Sequence, residues 1–320
     1  MSETIVADPA GAAELELFQQ IAERDRSYME GREFLARWLF ADKLAAQNRR
    51  GEMNFFGFDG PAHVWKFFTW IMNFNYPDFL EPDRVEALMK LSAERDQAVL
   101  AKTGGPAFED KVLNVGRYNA QDFLLQRAYP VRDDRRVRRL LDFGGGHGRM
   151  ANLSSGAPES DVVSMTVVDG IPGPYLTQRA YYRALGLSLY DYLDMDAGAF
   201  DMAEGLESSQ IVHLPTWRMD LLPDDHYDMV CTVQVLKELP RQLAVHAIGE
   251  FARVLKPGGA LYIRDHEQFH NPNQLPMDRI IQAAGFVLEF APHVHDRVDV
   301  HGLPRIWRKM DPSLYLNHED

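Results

Sequence analysis

The chain is short of cysteine, of positive charge and of long apolar runs. Its single cysteine, Cys231, cannot form an internal disulfide, so a reducing, cytoplasmic compartment is expected. No stretch reaches the roughly 18 uncharged apolar residues that a membrane-spanning helix needs. The N-terminal MSETIVADPAGAAELE is acidic and has neither a basic n-region nor an apolar h-region, so no signal peptide is expected. Lys and Arg number 34 against 47 Asp and Glu, a formal net charge of −13. Nucleic acids and anionic membranes are held through positive surface, which disfavours both as main partners. The one basic run, Arg132 to Arg139, is split by Asp133 and Asp134 and reads as a solvated linker.

Apolar residues are plentiful. They make up 46% of the 320, enough to core one large domain or two modest ones. The pattern changes near residue 135. In residues 1–135 apolar positions recur at spacings of three and four, as on helices. AELELFQQIAERDRSYMEGREFLARWLFADKLAAQNRR reads as one long helical stretch. Pro61 opens a second helix, AHVWKFFTWIMNF. Pro82 and Asp83 open a third, DRVEALMKLSAERDQAVLAK, which Gly104-Gly105 ends, and a fourth, NAQDFLLQRAY, stops at Pro130. In residues 136–320 short apolar runs (RRLLDF, VVSMTVVD, YDMVCTVQV, ALYIRD) alternate with helical stretches such as PYLTQRAYYRALG and RQLAVHAIGEFARVLK. This alternation predicts an α/β fold with a parallel sheet covered on both faces. The tail segments GFVLEFAP and RIWRKMD, with no helix between them, predict an antiparallel hairpin at the sheet edge.

Residues 139–150, RLLDFGGGHGRM, crowd four glycines into five positions behind an acid. A glycine-rich turn between the first strand and its helix lets a ligand approach the backbone. The dinucleotide fingerprint G-x-G-x-x-G fails, because counting from Gly144 its third glycine would be Arg149. The segment reads D-x-G-x-G-x-G, with Asp142, Gly144, Gly146 and Gly148. Further along come TVVDG, with Asp169 and Gly170 after the second apolar run, then MDLLPDDHYDMVCTVQVL and RVLKPGGALYIRD. In this order the segments resemble the motifs of the class I S-adenosylmethionine (SAM)-dependent methyltransferases, over residues 137 to about 310.

The resemblance implies a Rossmann-like, seven-stranded, mostly parallel sheet with an antiparallel edge hairpin. Residues 136–320 would form the SAM-binding domain and residues 1–135 a helical cap or lid. It implies that Asp142, Gly144, Gly146 and Gly148 form the cofactor turn, and that Asp169, with Gly170, holds the ribose hydroxyls. Met219 and Asp220 would lie near the adenine, and Gln234 and Val235 would face the cofactor at the end of the strand YDMVCTVQV. His147, inside the turn, either contacts the cofactor carboxylate or faces solvent.

Catalytic candidates are less sharply marked. Residues 266–270 read HEQFH, a literal H-E-x-x-H, but a strand precedes it and Asn271-Pro272 follows. The helix that a zinc protease needs is therefore missing, and no metal is expected. His293, His295 and His301 read as surface residues. His266 remains a candidate general base at the end of the strand ALYIRD. Tyr175, six residues past Asp169, is a candidate for the methionine end of the cofactor or for the substrate. Tyr118 and Asn119 are candidates for the pocket from the N-terminal part. Ten of the chain's 35 aromatics lie between Gly51 and Leu80, chiefly as core, with a dry lid over the cofactor as the functional alternative.

The run D-G-x-P-x-x-Y-L-x-Q, which begins at Asp169, is also similar to bacterial proteins described as sugar O-methyltransferases. The helical cover is similar to that of the azetidine-2-carboxylate synthases, which cyclise SAM itself with loss of methylthioadenosine. The expected activity is methyl transfer to an O or N of a small molecule of secondary or sugar metabolism. The alternatives are intramolecular cyclisation of SAM and a SAM-binding scaffold without turnover. The partner is then a small molecule, or SAM alone, and an oligomer is compatible with the sequence.

Overall fold

The computed structural model describes residues 9–29, 55–71, 82–105, 107, 109–128, 136–196, 198–236, 239–265, 277–291 and 303–311. Eight strands form one sheet in the order β3-β4-β2-β1-β5-β6-β8-β7. They are β1 (Arg139–Phe143), β2 (Ser164–Asp169), β3 (Leu189–Asp191), β4 (Ile211–Pro215), β5 (Tyr227–Val233), β6 (Leu255–Arg264), β7 (Phe286–Phe290) and β8 (Pro304–Lys309). The strands from β3 to β6 in this order pair in parallel. β8 pairs antiparallel with both β6 and β7, which gives the expected hairpin. β1, β2 and β4 are buried almost throughout, as strands covered on both faces must be.

The sheet has eight strands where seven were expected. The additional one, β3, has three residues at the edge and pairs only with β4. Neither β3 nor β4 stands out in the sequence, because IVHLP interrupts its apolar run with a histidine and a proline.

The described helices are α1 (Pro9–Arg24), α2 (His63–Ile71), α3 (Pro82–Lys102), α4 (Glu109–Ala128), α5 (Met150–Gly156), α6 (Pro172–Leu185), α7 (Met202–Ser208), α8 (Arg241–Val254) and α9 (Met277–Ala283). α1 stops at Arg24 and passes into a 3₁₀ turn, Asp25–Met29; the rest of the long expected helix lies outside the described residues. α4 begins at Glu109, well before the expected Asn119. Its first half is polar and has a glycine, which hid it. Gly116 is needed there because a Cβ would lie 2.5 Å from the Met89 carbonyl oxygen of α3. The two helices cross too closely for a side chain at that point.

The expected boundary at 135/136 falls in a stretch outside the described residues. Val99, Leu100, Val112, Val115 and Leu125 of α3 and α4 share one hydrophobic cluster with Leu140, Met165, Val167, Met229 and Cys231 of the sheet. The opposite face packs Leu141, Phe143, Val168, Val212, Leu214 and Val230 against α1 and α8. The N-terminal helices thus supply layers of the same core rather than a separate one.

A buried ion cluster fixes α4 to the sheet. Asp122 accepts from Arg149 Nη2 (2.6 Å), from Arg264 Nη1 (2.5 Å) and from the Tyr262 hydroxyl (2.5 Å). Burial alone would raise the pKa of this carboxyl, but Arg264 and Arg149 hold it below the usual range. Removing one partner of such a cluster leaves buried charge uncompensated. Asp122→Ala is therefore expected to lower unfolding free energy by about 3–5 kcal/mol, read from urea denaturation followed by circular dichroism.

Candidate functional site

Chain order reverses between β1 and β5: from β1 it runs outward through β2 to β4 and β3, then returns to β5 on the other side. In an open α/β sheet the crevice at the carboxyl ends of such neighbouring strands is the ligand site. The glycine turn leaves β1 at this point. Gly144 has φ +72° and donates its N–H to Val168 O of β2 (2.8 Å). A Cβ on Gly144 would lie 2.3 Å from Val235 Cγ2, so the turn and the end of β5 touch through bare backbone. Gly146 has φ +60°, and nothing lies within 4 Å of where its Cβ would be. The turn is crowded at its start and open at Gly146. Gln234 carries a left-handed φ of +62° and donates its backbone N–H to Arg264 O (2.8 Å). A non-glycine residue held there is strained, and such strain concentrates at functional sites.

Asp169 ends β2 beside this turn. Its Oδ1 accepts from the Ile171 N–H (3.1 Å) and its Oδ2 from Gln178 Nε2 (2.8 Å). Burial nevertheless pushes its pKa up to about 6. Each carboxylate oxygen retains capacity to accept a further hydrogen bond, as a vicinal diol would require. Gln178 Nε2 also donates to Gly146 O (2.9 Å), tying Asp169 to the glycine turn. A Cβ on Gly170 would lie 1.9 Å from Thr216 Oγ1, so the segment after β2 lies directly against the segment after β4.

Asp142 is buried on β1, and its Oδ2 has no hydrogen-bond partner. Burial pushes its pKa up to about 7, Arg149 opposing and Asp169 and Asp122 adding to the rise. His147 does not face solvent, and its buried Nε2 has no hydrogen-bond partner among the described residues. It is buried, with ring centroids 4.7 Å from Phe68, 6.0 Å from Phe67 and 5.4 Å from Tyr181. Burial, with Arg149 adding, lowers its pKa to about 3 and keeps it neutral.

Asn119 joins the N-terminal helices to the turn. Its Nδ2 donates to Ser92 Oγ (2.8 Å) and its Oδ1 accepts from Arg149 Nη1 (3.2 Å). Tyr118 is buried on the same helix. Tyr175 is fully buried, its hydroxyl 3.0 Å from Asp191 Oδ1 and its ring stacked on His213 at 3.7 Å. The phase of α6 turns Tyr175 into the core against β3 and β4. Met219 is buried, whereas Asp220 is exposed and pairs with Arg218 Nε at 3.1 Å. His266, the HEQFH run, His293, His295 and His301 lie outside the described residues. Among the described residues no group of His, Cys, Asp and Glu could hold a metal, and no helix is long and apolar enough to cross a membrane.

Sequence reasoning missed Gln178, Arg149, Asp122, His213 and Asp191. Gln178 is the glutamine of the P-x-x-Y-L-x-Q run, and Arg149 ends the glycine segment; these two had a local signal. The others are joined to the site only by folding.

A methyltransferase-domain family model matches residues 116–308, more than half of the chain. The chain belongs to the class I SAM-dependent methyltransferase family, and SAM is its cofactor. No curated protein matches it. Among solved structures it is similar to the [4+2]-cyclase SpnF (17% identity, 74% of this chain and 99% of that one, TM-score 0.43). It is also similar to the N-methyltransferase NodS of Bradyrhizobium japonicum WM9 (16%, 62% and 97%, TM-score 0.40). A third similar structure is the magnesium protoporphyrin IX methyltransferase ChlM of Synechocystis PCC 6803 (14%, 73% and 100%, TM-score 0.39).

The residues fit the cofactor. The turn is open at Gly146, and the buried Asp142 oxygen and Asp169 are acids facing no paired cation, which suits a ligand with hydroxyls and positive charge. Asp142 also sets a stability prediction. Its folded pKa, about 7, lies above the unfolded value, so the folded state binds the proton more tightly. Its contribution to stability is full at low pH and is lost as pH rises to about 7. Asp142→Asn removes that loss. Its unfolding free energy relative to wild type is expected to grow between about pH 4 and 7 and then level off, as urea melts at several pH values will show.

Proposed function

We propose that this protein transfers the methyl group of SAM to an oxygen or nitrogen of a small molecule. The covered cofactor site carries this reading. Phe67 and Phe68 of α2 lie against His147 of the turn, Asn119 and Asp122 of α4 bind Arg149, and Phe55 O accepts from the Gly173 N–H at the start of α6 (2.8 Å). N-terminal segments therefore meet the rim of the site at several points, which favours a small acceptor over a macromolecular surface. The net charge of −13 disfavours nucleic acid in the same way.

SAM supplies an electrophilic methyl carbon on a sulfonium. The protein must bind, orient and dehydrate the reactants, and a good nucleophile needs little further activation. In this reading Asp169 accepts the ribose hydroxyls, the Gly144–Gly148 turn admits the methionine end, and Gln234 and Val235 close the site from β5. Asn119 holds Arg149 against the turn and is a positioning residue. His266 remains the proposed base.

Two outcomes test the reading. Asp169→Ala is expected to weaken SAM binding by about tenfold to a hundredfold, the loss of hydrogen bonds to a charged group, as calorimetry will measure. Wild-type affinity should itself fall below about pH 6 as Asp169 takes up its proton; the alanine variant should lack that fall. The reaction is settled by incubating the protein with SAM alone and then with a small-molecule extract, following products by mass spectrometry. Methyl transfer leaves SAM unconsumed alone and gives S-adenosylhomocysteine with the extract. Methylthioadenosine with azetidine-2-carboxylate from SAM alone, above spontaneous background, would replace the proposal with SAM cyclisation.

A further inference from the structure

Behind the cofactor turn lies a buried polar chain that the proposed chemistry does not use. Gln178 spends both N–H groups of its side chain forward, on Gly146 O (2.9 Å) and Asp169 Oδ2 (2.8 Å). Both partners are acceptors, so the amide orientation is fixed: reversing it would set Oε1 against two oxygens. Gln178 Oε1 therefore faces backward, 2.8 Å from His213 Nε2. An amide oxygen cannot donate, so His213 Nε2 must carry hydrogen. On the other side of the ring His213 Nδ1 lies 2.9 Å from Asp191 Oδ2, and that contact needs a proton as well. Gln178, His213 and Asp191 are all buried.

We propose that His213 is a positioning residue for the SAM site: with a proton on each ring nitrogen, it locks the Gln178 amide so that its NH₂ group holds Gly146 and Asp169 in place. The proposal rests on the cofactor site described above. The surroundings supply the charge balance. Asp191 Oδ1 also accepts from the Tyr175 hydroxyl (3.0 Å) and the Leu193 N–H (2.8 Å), and the Arg179 guanidinium forms an ion pair with it at 3.2 Å. Burial opposes ionisation of Asp191, and Arg179 and then His213 hold its pKa down; with Oδ1 accepting two hydrogen bonds beside the Arg179 cation, the shared proton is assigned to Nδ1. Asp194, bound to Arg179, adds negative charge, and the Tyr175 and Tyr182 rings enclose the imidazole. Burial pushes His213 itself down and Asp191 pulls it up. The net downward direction opposes the doubly protonated form; the hydrogen-bond pattern is the stronger constraint, because with Nε2–H committed to Gln178 Oε1, loss of the Nδ1 proton would set its lone pair against the Asp191 carboxylate in a dry interior.

Nitrogen-15 NMR of the labelled wild-type protein reads this directly. Both His213 ring nitrogens are expected to be protonated from about pH 6 to 8; a single protonated nitrogen in that range overturns the proposal. Two variants then separate positioning from packing. His213→Gln keeps an N–H donor at the reach of Nε2, whereas His213→Asn keeps the contact to Asp191 and offers Gln178 no donor. The asparagine variant is expected to bind SAM and adenosine about tenfold more weakly and the glutamine variant within about threefold of wild type, one charge-assisted hydrogen bond being at stake. Equal losses in both variants, or wild-type affinity in the asparagine variant, would overturn it. Wild-type SAM binding measured in the same series separates failure of this proposal from failure of the cofactor assignment.

Discussion

The Gly144 N–H bonded to Val168 O and the Gln178 amide bonded to Gly146 O hold a segment that cannot hold itself. Glycine loses more backbone freedom on ordering than any other residue and offers no side chain to recover it. The shape of the turn must come from its neighbours. β2 and α6 supply one side through Val168 and Gln178. Arg149 supplies the other, anchored on Asn119 and Asp122 of α4. The same Asp122 binds Arg264, whose carbonyl receives the Gln234 N–H. The turn after β1, the strained end of β5 and the N-terminal helices thus share a single buried carboxylate.

The buried acids divide by what faces them. Asp122 and Asp191 each have arginine within contact distance, and their pKa values are lowered despite burial. Asp142 and Asp169 are served by neutral donors or by none, and burial raises theirs to about 7 and about 6. The first pair is neutralised from within and works as an anchor. The second pair lies on β1 and β2 at the switch point of the sheet, where a ligand bearing hydroxyls and positive charge would complete the electrostatics. Asp96, raised to about 7, lies between them in kind. Tyr181 and Asn152 hold it by neutral hydrogen bonds in the seam between α3 and the sheet-side helices.

What was legible in the sequence was local. The glycine turn, Asp169 after its apolar run, the strands β1, β2, β5 and β6, and the tail hairpin all announce themselves within a few residues. β3 and β4 do not, because a three-residue strand and IVHLP have too little apolar length to stand out. The burial of Tyr175 was not legible, because nearness to Asp169 in sequence says nothing of helix phase. Three residues further on, Gln178 points at the turn while Tyr175 stacks on His213. The chain Gln178–His213–Asp191 draws on α6, β4 and β3, and no local spacing connects those three residues.

The described N-terminal segments meet residues adjacent to the motif positions. Arg149 follows Gly148, and Gly173 lies three residues past Gly170. Trp217, whose indole N–H donates to Asp25 Oδ2 (3.1 Å), lies two before Met219. Each contact grips a residue within three of a position that the sequence motifs mark. A cover attached in this way cannot shift without disturbing the segments after β1, β2 and β4, so ligand binding at those segments and seating the cover draw on the same ordering free energy. Asp25, Asn119 and Asp122 are polar and buried, and each accepts a hydrogen bond from the cofactor half, from Trp217 or Arg149. An unseated cover would leave Arg149 and Trp217 N–H without these partners. That penalty ties the helical layer to the cofactor half as one cooperative unit, consistent with the shared core of α3, α4 and the sheet.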